Sequence, residues 1–530
     1  MARIVLINPA FKPSYWNFHY SLSIFGRKAV TPTSALTLLA ALTPSEHEVV
    51  LMDEAVKPLD FALIDQADIV GMTGMIVQRE RMAELARTLK SRGAYLVVGG
   101  PWITVKEDAL EGLADVIFVG EADVTWPEFL QDFAKGEVLA RYEQSERTDL
   151  TTLPAQRIDL LDTRQYLQGS LQLSRGCPFL CEFCDIIVTF GRQPRVKEPS
   201  QVIEELEAWY RAGMMALFLV DDNIIGNRKA LIPILRAIAD WQQQKAYLVS
   251  LHTEASINLA DDPELLDLFV EANIRTVFIG IESPSPEALL ESRKYQNVDR
   301  KAPQRAAEAA EDFLLEKIQR IQLRGIKVTS GHIVGFDSDT PQIFDTQARF
   351  IARSGITQAM VGLLSAIPKT PLHARLASES RLDPEDPPRY GTNVIPKHFS
   401  PKELAEGYLD LLGRIYAPEA YFARLNDLYI HRRFYDSAEK VRVPRIPRFR
   451  QGLYLLMSFG FTALLLLRLL REVKPSGLRK FYLKALWRYA QSGPYPMRYF
   501  DYVVEMACHY HFFRYTEELR QRRGPVESTF

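Results

Sequence analysis

Cysteine is scarce in this sequence, with four residues in 530. That is too few for the disulfide scaffold of a secreted domain. Three of the four, Cys177, Cys181 and Cys184, fall within eight residues, so they read as a site rather than as staples. An excess of charge is missing too. Lys and Arg number 64 against 66 Asp and Glu, a formal charge of −2, which gives no reason to expect a nucleic-acid partner. No secretory leader is legible: the apolar run Ile4–Ile7 is short and stops at Asn8-Pro9, without a basic start, a longer apolar stretch or a small-residue cleavage site. A cytoplasmic location is therefore expected, and clustered thiols fit a reducing compartment. What is present is the balance of a globular protein, 47% hydrophobic and 25% charged. It excludes a disordered chain, a collagen-like repeat and a coiled-coil rod. A chain this long needs more than one core.

Residues 1–140 alternate short apolar runs with helical stretches. RIVLI (3–7), EVVLMD (48–53), DIVGMTG (68–74), AYLVVGG (94–100) and DVIFVG (115–120) read as buried strands, and strands alternating with helices imply a parallel, doubly wound sheet. Ligands bind such sheets at the carboxyl ends of the strands. Gly71, Thr73, Gly74, Gly99, Gly100, Pro101, Gly120 and Glu121 all sit there. Tight turns alone explain one glycine; glycines at three successive strand ends point to a ligand site. Residues 141–170 are polar and irregular and read as a linker.

A second strand–helix series spans 171–395. LQLSRG (171–176) reads as a strand running into the cysteine loop. ALFLVDDN (216–223), YLVSLHTEAS (247–256), TVFIGIES (276–283), KVTSGHIVGF (327–336) and AMVGLLSAIP (359–368) follow. Six such units predict a partial or full (β/α) barrel, with its active groups at the C-terminal strand ends. From 396 to 530 strand signals vanish and an α-helical region is expected. Cys508 lies there in an aromatic segment and reads as core.

The sharpest signal is Arg175-Gly-Cys-Pro-Phe-Leu-Cys-Glu-Phe-Cys-Asp185. Its C-x3-C-x2-C spacing offers three closely spaced thiolates, the ligands of iron–sulfur clusters. They can hold three irons of a [4Fe–4S] cluster and leave the fourth open. Zinc is the rival, but a structural zinc takes four protein ligands, and no fourth Cys or His is near in sequence. This spacing resembles the radical S-adenosylmethionine (SAM) superfamily. The resemblance implies that the open iron takes the amino and carboxylate groups of SAM. Phe183, before the third cysteine, matches the superfamily pattern or simply packs. Asp221, Asp222 and Asn223 end a strand where the superfamily meets the SAM amino group; the alternative is a helix N-cap. Glu254 with Ser256, and Glu282 with Ser283, end the next two strands. They are candidates for the SAM ribose or carboxylate, or for structural ion pairs.

The order of parts adds a closer resemblance. A doubly wound domain precedes a radical SAM barrel, and an aromatic-rich helical region follows. This is similar to the cobalamin-binding radical SAM family, in the branch with a helical C-terminal domain of uncharacterised role. SYWNF (14–18), VVGGPW (97–102), SRGCPFLCEFCDI (174–186), VDDNIIGN (220–227), GIESP (280–284), RKYQN (293–297) and GHIVGFDSD (331–339) carry it, with hopanoid C-2 methylases alike in these stretches. The resemblance implies a cobalamin-dependent methyltransferase acting on an unactivated carbon of a hydrophobic, hopanoid-like substrate, with SAM used both as methyl source and as radical source. An external flavodoxin- or ferredoxin-like electron donor goes with it. An oxidative cyclase using the same cofactors is the alternative reaction. Cobalamin is expected between the two α/β domains, on Thr73, Met75, Gln78, Gly99, Gly100, Pro101, Gly120 and Glu121.

Two stretches depart from that plan. The cobalt-ligating Asp-x-His-x-x-Gly motif is missing, since only His19 and His47 precede residue 252. Lys301–Glu316 is rich in Ala and Glu and is expected as an extra helix over the barrel. A third stretch, Gly452–Leu467, is almost wholly apolar and flanked by arginines and lysines. It reads as a buried helix of the third domain, as a peripheral contact with the inner face of a membrane, or as a short spanning helix.

Overall fold

The computed structural model describes residues 1–299, 307–385, 387–494 and 498–521. The N-terminal apolar runs form β1 (Arg3–Asn8), β2 (Glu48–Asp53), β3 (Ile69–Thr73), β4 (Leu96–Gly99), β5 (Val116–Val119) and β6 (Arg141–Glu143). They pair in parallel in the order β2-β1-β3-β4-β5-β6. β3 is buried along its whole length, because helices cover both faces of the sheet, and such strands lose the polar alternation of a half-exposed one. Helices Ser34–Leu42 and Thr125–Lys135 cover one face and Arg79–Ser91 the other, giving a separate apolar core on each side. β6 lies beyond residue 140, in the stretch expected as linker. Only Tyr142 of its three residues is buried, too short a pattern to read as a strand.

β7 (Gly169–Leu171) opens the second sheet. β8 (Ser174–Arg175) pairs antiparallel with β9 (Arg195–Val196) and closes the base of the cysteine loop. LQLSRG is therefore not one strand. The amides of Leu173 and Ser174 donate to Asp221 Oδ1 instead of to a neighbouring strand. β10 (Ala216–Leu219), β11 (Ser250–Glu254), β12 (Ile274–Glu282), β13 (Lys327–Val334) and β14 (Ala359–Leu363) complete an open parallel sheet, β14-β13-β12-β11-β10-β7. The barrel is thus partial. Leu217, Leu219, Leu251, Val277 and Ile279 are fully buried in the core beneath the helices. Their neighbours Phe218, His252, Glu254 and Phe278 therefore face the lumen.

Of Lys301–Glu316, residues 301–306 lie outside the described residues. The rest begins the helix Ala307–Leu323, which connects β12 to β13. It is the barrel's own crossover helix, with Leu314, Ile318 and Ile321 in the core, not an extra one.

The described secondary-structure elements beyond residue 400 are all helices. Pro401–Ile415 starts with a Ser400/Glu403 capping box, and Arg498–Gln521 is buried along most of its length. These helices share one core with the barrel. Glu505 anchors them, pairing with Lys327 and accepting from Thr357 Oγ1 and Tyr421 OH, each at 2.9 Å. Cys508 is a buried free thiol. The apolar stretch 452–467 belongs to the helix Arg448–Glu472, of which only Thr462, Leu465 and Leu469 are buried. The buried-helix reading does not hold.

Candidate active site

The cysteine loop is held from below by two carboxylates. Asp221 Oδ1 accepts from Leu173 N at 2.8 Å and from Ser174 N, and Asp222 Oδ2 accepts from Gly176 N at 2.7 Å. Burial pushes Asp221 up to about 7 and Asp222 up to about 6, with the backbone amides pulling the other way. Both were expected at the SAM amino group. Each holds with one oxygen the backbone that leads into Cys177, because the amides of Leu173, Ser174 and Gly176 there have no strand partner. Asn223, the third member, behaves differently. Its Nδ2 lies 3.9 Å from Cys177 Sγ, and its Oδ1 accepts from Ser256 N and Oγ at 3.1 and 3.2 Å.

The three thiols are free, with Cys181 buried and the others partly so. Gln296 Nε2 approaches Cys181 Sγ to 3.6 Å. Burial pushes Cys177 up and Cys184 well above the ordinary thiol range, so a thiolate here needs a cation. Lys294 is the nearby one. Its Nζ lies 2.7 Å from Glu282 Oε1. Burial pulls its pKa down, but Glu282 and the thiols of Cys181 and Cys184 outweigh this and keep it charged. Among the described residues no three His, Cys, Asp or Glu side chains gather to hold a single ion, as zinc requires. Thiols on a multi-iron cluster stand on separate irons, and the free three-cysteine set fits that group.

The end of β12 is shaped around the same lysine. Glu282 adopts a left-handed backbone, φ 63°, at a register shift in the pairing with β13. Strain of this kind is kept where surrounding contacts enforce it. Asn297 Nδ2 donates to Gly280 O and Ile281 O at 3.0 and 2.9 Å, and Gln347 Nε2 donates to Glu282 O at 3.0 Å. A Cβ at position 280 would lie 2.2 Å from Glu282 Oε1 and 2.8 Å from Lys294 Nζ, so any larger residue there would displace the pair. Glu254 faces the lumen beside this cluster, and burial with Asp222 and Asp221 nearby pushes it up to about 8. Ser283 is fully buried, its Oγ accepting from Ser285 N at 3.2 Å. Phe183 packs edge-on to Phe336 with ring centres 6.2 Å apart.

Two cavities adjoin the N-terminal sheet. One of about 220 Å³ is lined by Thr73, Gly99, Gly100, Pro101, Gly120 and Glu121, six of the residues expected to bind a cofactor. The other, about 970 Å³, opens between this domain and the barrel, between Trp102 and the segment Ser365–Lys369. The short helix Pro101–Val105 divides them. Gly100 sits at its start with φ 94°, and a Cβ there would lie 2.2 Å from Thr73 Oγ1. Two expected contacts, Gln78 and Met75, line neither cavity. Gln78 is buried and bridges Asn8 Oδ1 and Pro9 O at 3.1 and 2.6 Å. Met75 is exposed. Glu121 lines the smaller cavity and is also buried against Arg195 and Arg175, the latter 3.1 Å away.

That last contact is a tie between domains. Arg175, beside the first cysteine, also pairs with Asp123, so the cofactor loop and the N-terminal sheet share one buried charge cluster. On the opposite side Arg375 holds Glu182 Oε1 at 2.7 Å. None of Arg175, Glu182, Lys294, Gln296 and Asn297 was singled out from the sequence. The signal was available, since all five lie within the stretches SRGCPFLCEFCDI and RKYQN.

Residues 171–351 match the radical SAM superfamily, and residues 370–524 match a domain of unknown function, DUF4070. An uncharacterised methyltransferase of Synechocystis is 36% identical over 80% of this chain and 77% of its own. Hopanoid C-2 methylase of Rhodopseudomonas palustris is 33% identical over 81% of this chain and 80% of its own. The chain belongs to the radical SAM methyltransferases. As a radical SAM methyltransferase it uses a [4Fe–4S] cluster and SAM. The cobalamin-dependent SAM radical enzyme OxsB shares the fold, with TM-score 0.60 and 15% identity over 96% of this chain and 79% of its own. So does the radical SAM methyltransferase TsrM of Kitasatospora setae, solved with cobalamin and a [4Fe–4S] cluster: TM-score 0.57 and 17% identity, over 77% of this chain and 85% of its own.

Proposed function

We propose that this radical SAM methyltransferase is cobalamin-dependent and adds a methyl group to an unactivated carbon of a hydrophobic, hopanoid-like substrate. The observation that carries the reading is the junction of the two α/β domains. The glycine-rich strand ends Thr73, Gly99, Gly100 and Gly120 share a cavity of about 220 Å³ with Gln172, Arg175 and Phe190, which flank the cysteine loop, and Arg175 locks the two sides together. When bound, the cluster supplies the electron that cleaves SAM to a carbon radical, and cobalamin carries the methyl group.

The chain's own residues do the rest. Cys177, Cys181 and Cys184 hold the cluster, and Asn223 and Gln296 direct N–H groups at two of the sulfurs. Lys294 offsets their negative charge. Glu254, Ser256, Glu282 and Ser283 surround the SAM amino, carboxylate and ribose groups, whose donors and acceptors match theirs. Thr73, Gly99, Gly100, Pro101 and Gly120 hold cobalamin by close backbone approach. The lumen suits an apolar substrate. Phe218 stacks on His252 at 4.8 Å, and Phe278 packs with Trp16 at 5.3 Å. Burial pushes His252 down to about 3, so it stays neutral. A water-poor lumen protects a radical from quenching. The reading includes an external flavodoxin- or ferredoxin-like donor and a cytoplasmic home peripheral to the inner face of the membrane, where a hydrophobic substrate resides.

The test is an anaerobic incubation of cluster- and cobalamin-loaded protein with reductant, SAM and a hopene such as diploptene. Mass spectrometry follows 5′-deoxyadenosine and substrate together. Both SAM products with a methylated hopene are expected. Deoxyadenosine with a substrate that loses hydrogen and gains no methyl would move the assignment to a cyclase.

A further inference from the structure

The helix Arg448–Glu472 is apolar on its outside. Phe449 is 75% exposed, Leu456 73% and Leu467 68%, with Leu453, Phe459 and Phe461 about half exposed between them. Contiguous apolar surface on this scale marks an interaction site. The next helix, Ser476–Gln491, adds Trp487, 66% exposed, and Leu483.

Charge names the partner. Between residues 441 and 494 the chain carries 11 Lys and Arg against one acidic residue, Glu472, although its total charge is −2. Arg448, Arg471, Lys474, Arg479, Lys480 and Lys484 are exposed, and none forms a salt bridge among the described residues. An apolar stripe rimmed by unpaired cations, with an exposed Trp beside it, matches an anionic lipid surface. A second protein copy with the same rim would bring like charges together.

Orientation follows from the helix ends. At 25 residues the helix is ~37 Å long, enough to cross a bilayer. Both its ends, however, are fixed to the same globular body. Before it, Ile446 packs with Ala246, Tyr247 and Tyr454, and Arg445 bonds Tyr247 OH and Glu271. At its far end Leu469 and Val473 are fully buried in the main core. A spanning helix would carry one end away from that body. We propose that Arg448–Glu472 lies in the plane of an anionic bilayer, its apolar face among the acyl chains and its basic flanks at the headgroups. This sharpens the peripheral contact of the proposed function by giving it a surface, a lipid charge and an orientation.

Full-length, cluster-loaded protein is floated with vesicles of phosphatidylcholine containing phosphatidylglycerol, and with phosphatidylcholine alone. The expected result is flotation with the anionic vesicles, about tenfold stronger than with neutral ones and weakened by 0.5 M salt, since headgroup attraction is screened within a Debye length. The combined variant Phe449→Ser, Leu456→Ser, Leu467→Ser loses flotation on both. Arg471→Gln, Lys474→Gln, Lys480→Gln loses only the preference for anionic lipid. Unchanged helical circular dichroism and unchanged SAM cleavage show that these surface variants fold. No flotation with anionic vesicles at millimolar lipid overturns the proposal. So does a dimer in sedimentation that the Phe449 variant dissociates, which would make a second copy the occupant. Flotation is read without substrate, so it stands or falls separately from the methylation assay.

Discussion

The chain contains two six-stranded parallel sheets that obey the same rule and use it for different chemistry. Both carry their proposed site residues at the carboxyl ends of strands, where βα loops leave backbone and side chains free. On the N-terminal sheet those ends are mostly glycine, with Thr73, Gly99, Gly100 and Gly120 around a small cavity. On the barrel they are thiols, carboxylates and amides around one buried lysine. In the proposed reading the glycine-lined end takes a large group by shape and the charged end takes metal and SAM by electrostatics. The two halves are joined through Arg175, whose partners Glu121 and Asp123 come from the other sheet.

The largest effect expected from this division is at the cysteines. Cys181→Ala should abolish cluster absorbance and lower deoxyadenosine formation about a thousandfold or more, because the barrel has no substitute ligand. Cobalamin retention should survive, and joint loss would break the division. Next is Lys294→Met, which leaves Glu282 buried without its cation. Removing one partner of a buried pair costs about 3–5 kcal/mol, and SAM cleavage should slow roughly 10- to 100-fold at unchanged iron content. Lys294→Arg should recover part of it.

The converse experiment is Gly100→Val. The left-handed backbone and the clash with Thr73 Oγ1 predict a cost of about 1–3 kcal/mol. Cobalamin content, read by absorbance, should fall, while cluster loading and SAM cleavage persist.

Two smaller predictions set the barrel mouth against the helical domain through pH. Glu254 has a folded pKa raised to about 8. The folded state therefore holds a proton that the unfolded chain releases near 4.5, and stability is lost as pH rises between those values. Glu254→Gln should make the apo protein more stable at pH 8 than wild type by about 1 kcal/mol or more, while weakening SAM binding in an equilibrium titration. His509 has the opposite sign. Burial pushes it down to about 3, in contact with Tyr482 OH at 2.6 Å and Tyr416 O at 3.2 Å. It stays neutral in the fold while the unfolded chain gains a proton below about 6.5. Its contribution is present above that value and is lost as pH falls. From pH 6.5 to 5.5, urea unfolding of wild type should lose about 1 kcal/mol more than His509→Gln.

Much of this was legible beforehand, and the failures share a cause. Strands such as Glu48–Asp53 are apolar runs bounded by turn residues, a pattern contained in six residues. The cysteine spacing is likewise local. Side chains that choose between two partners were not legible. Asp221 and Asp222 were read only as ligands for an ammonium group, yet each also holds unpaired amides, at Leu173, Ser174 and Gly176, with one of its oxygens. Gln78 follows a ligand-facing strand end but bonds across to β1, and Glu121, which does line the small cavity, also bonds across to the barrel. The reverse error affected RKYQN, whose Lys294, Gln296 and Asn297 reach Glu282, Cys181 and the end of β12.

The sequence by itself determined the alternation of strands and helices, the thiol set and the glycine-rich strand ends, because each rests on residues a few positions apart. Only the tertiary structure decided which carboxylates stay free at the barrel mouth, how Arg175 joins two domains, and that Arg448–Glu472 lies outside the core rather than in it. Those outcomes depend on groups brought together from distant positions, such as Lys327 with Glu505. For a buried charge or an apolar helix, energy is set by what stands opposite, and no local pattern states that.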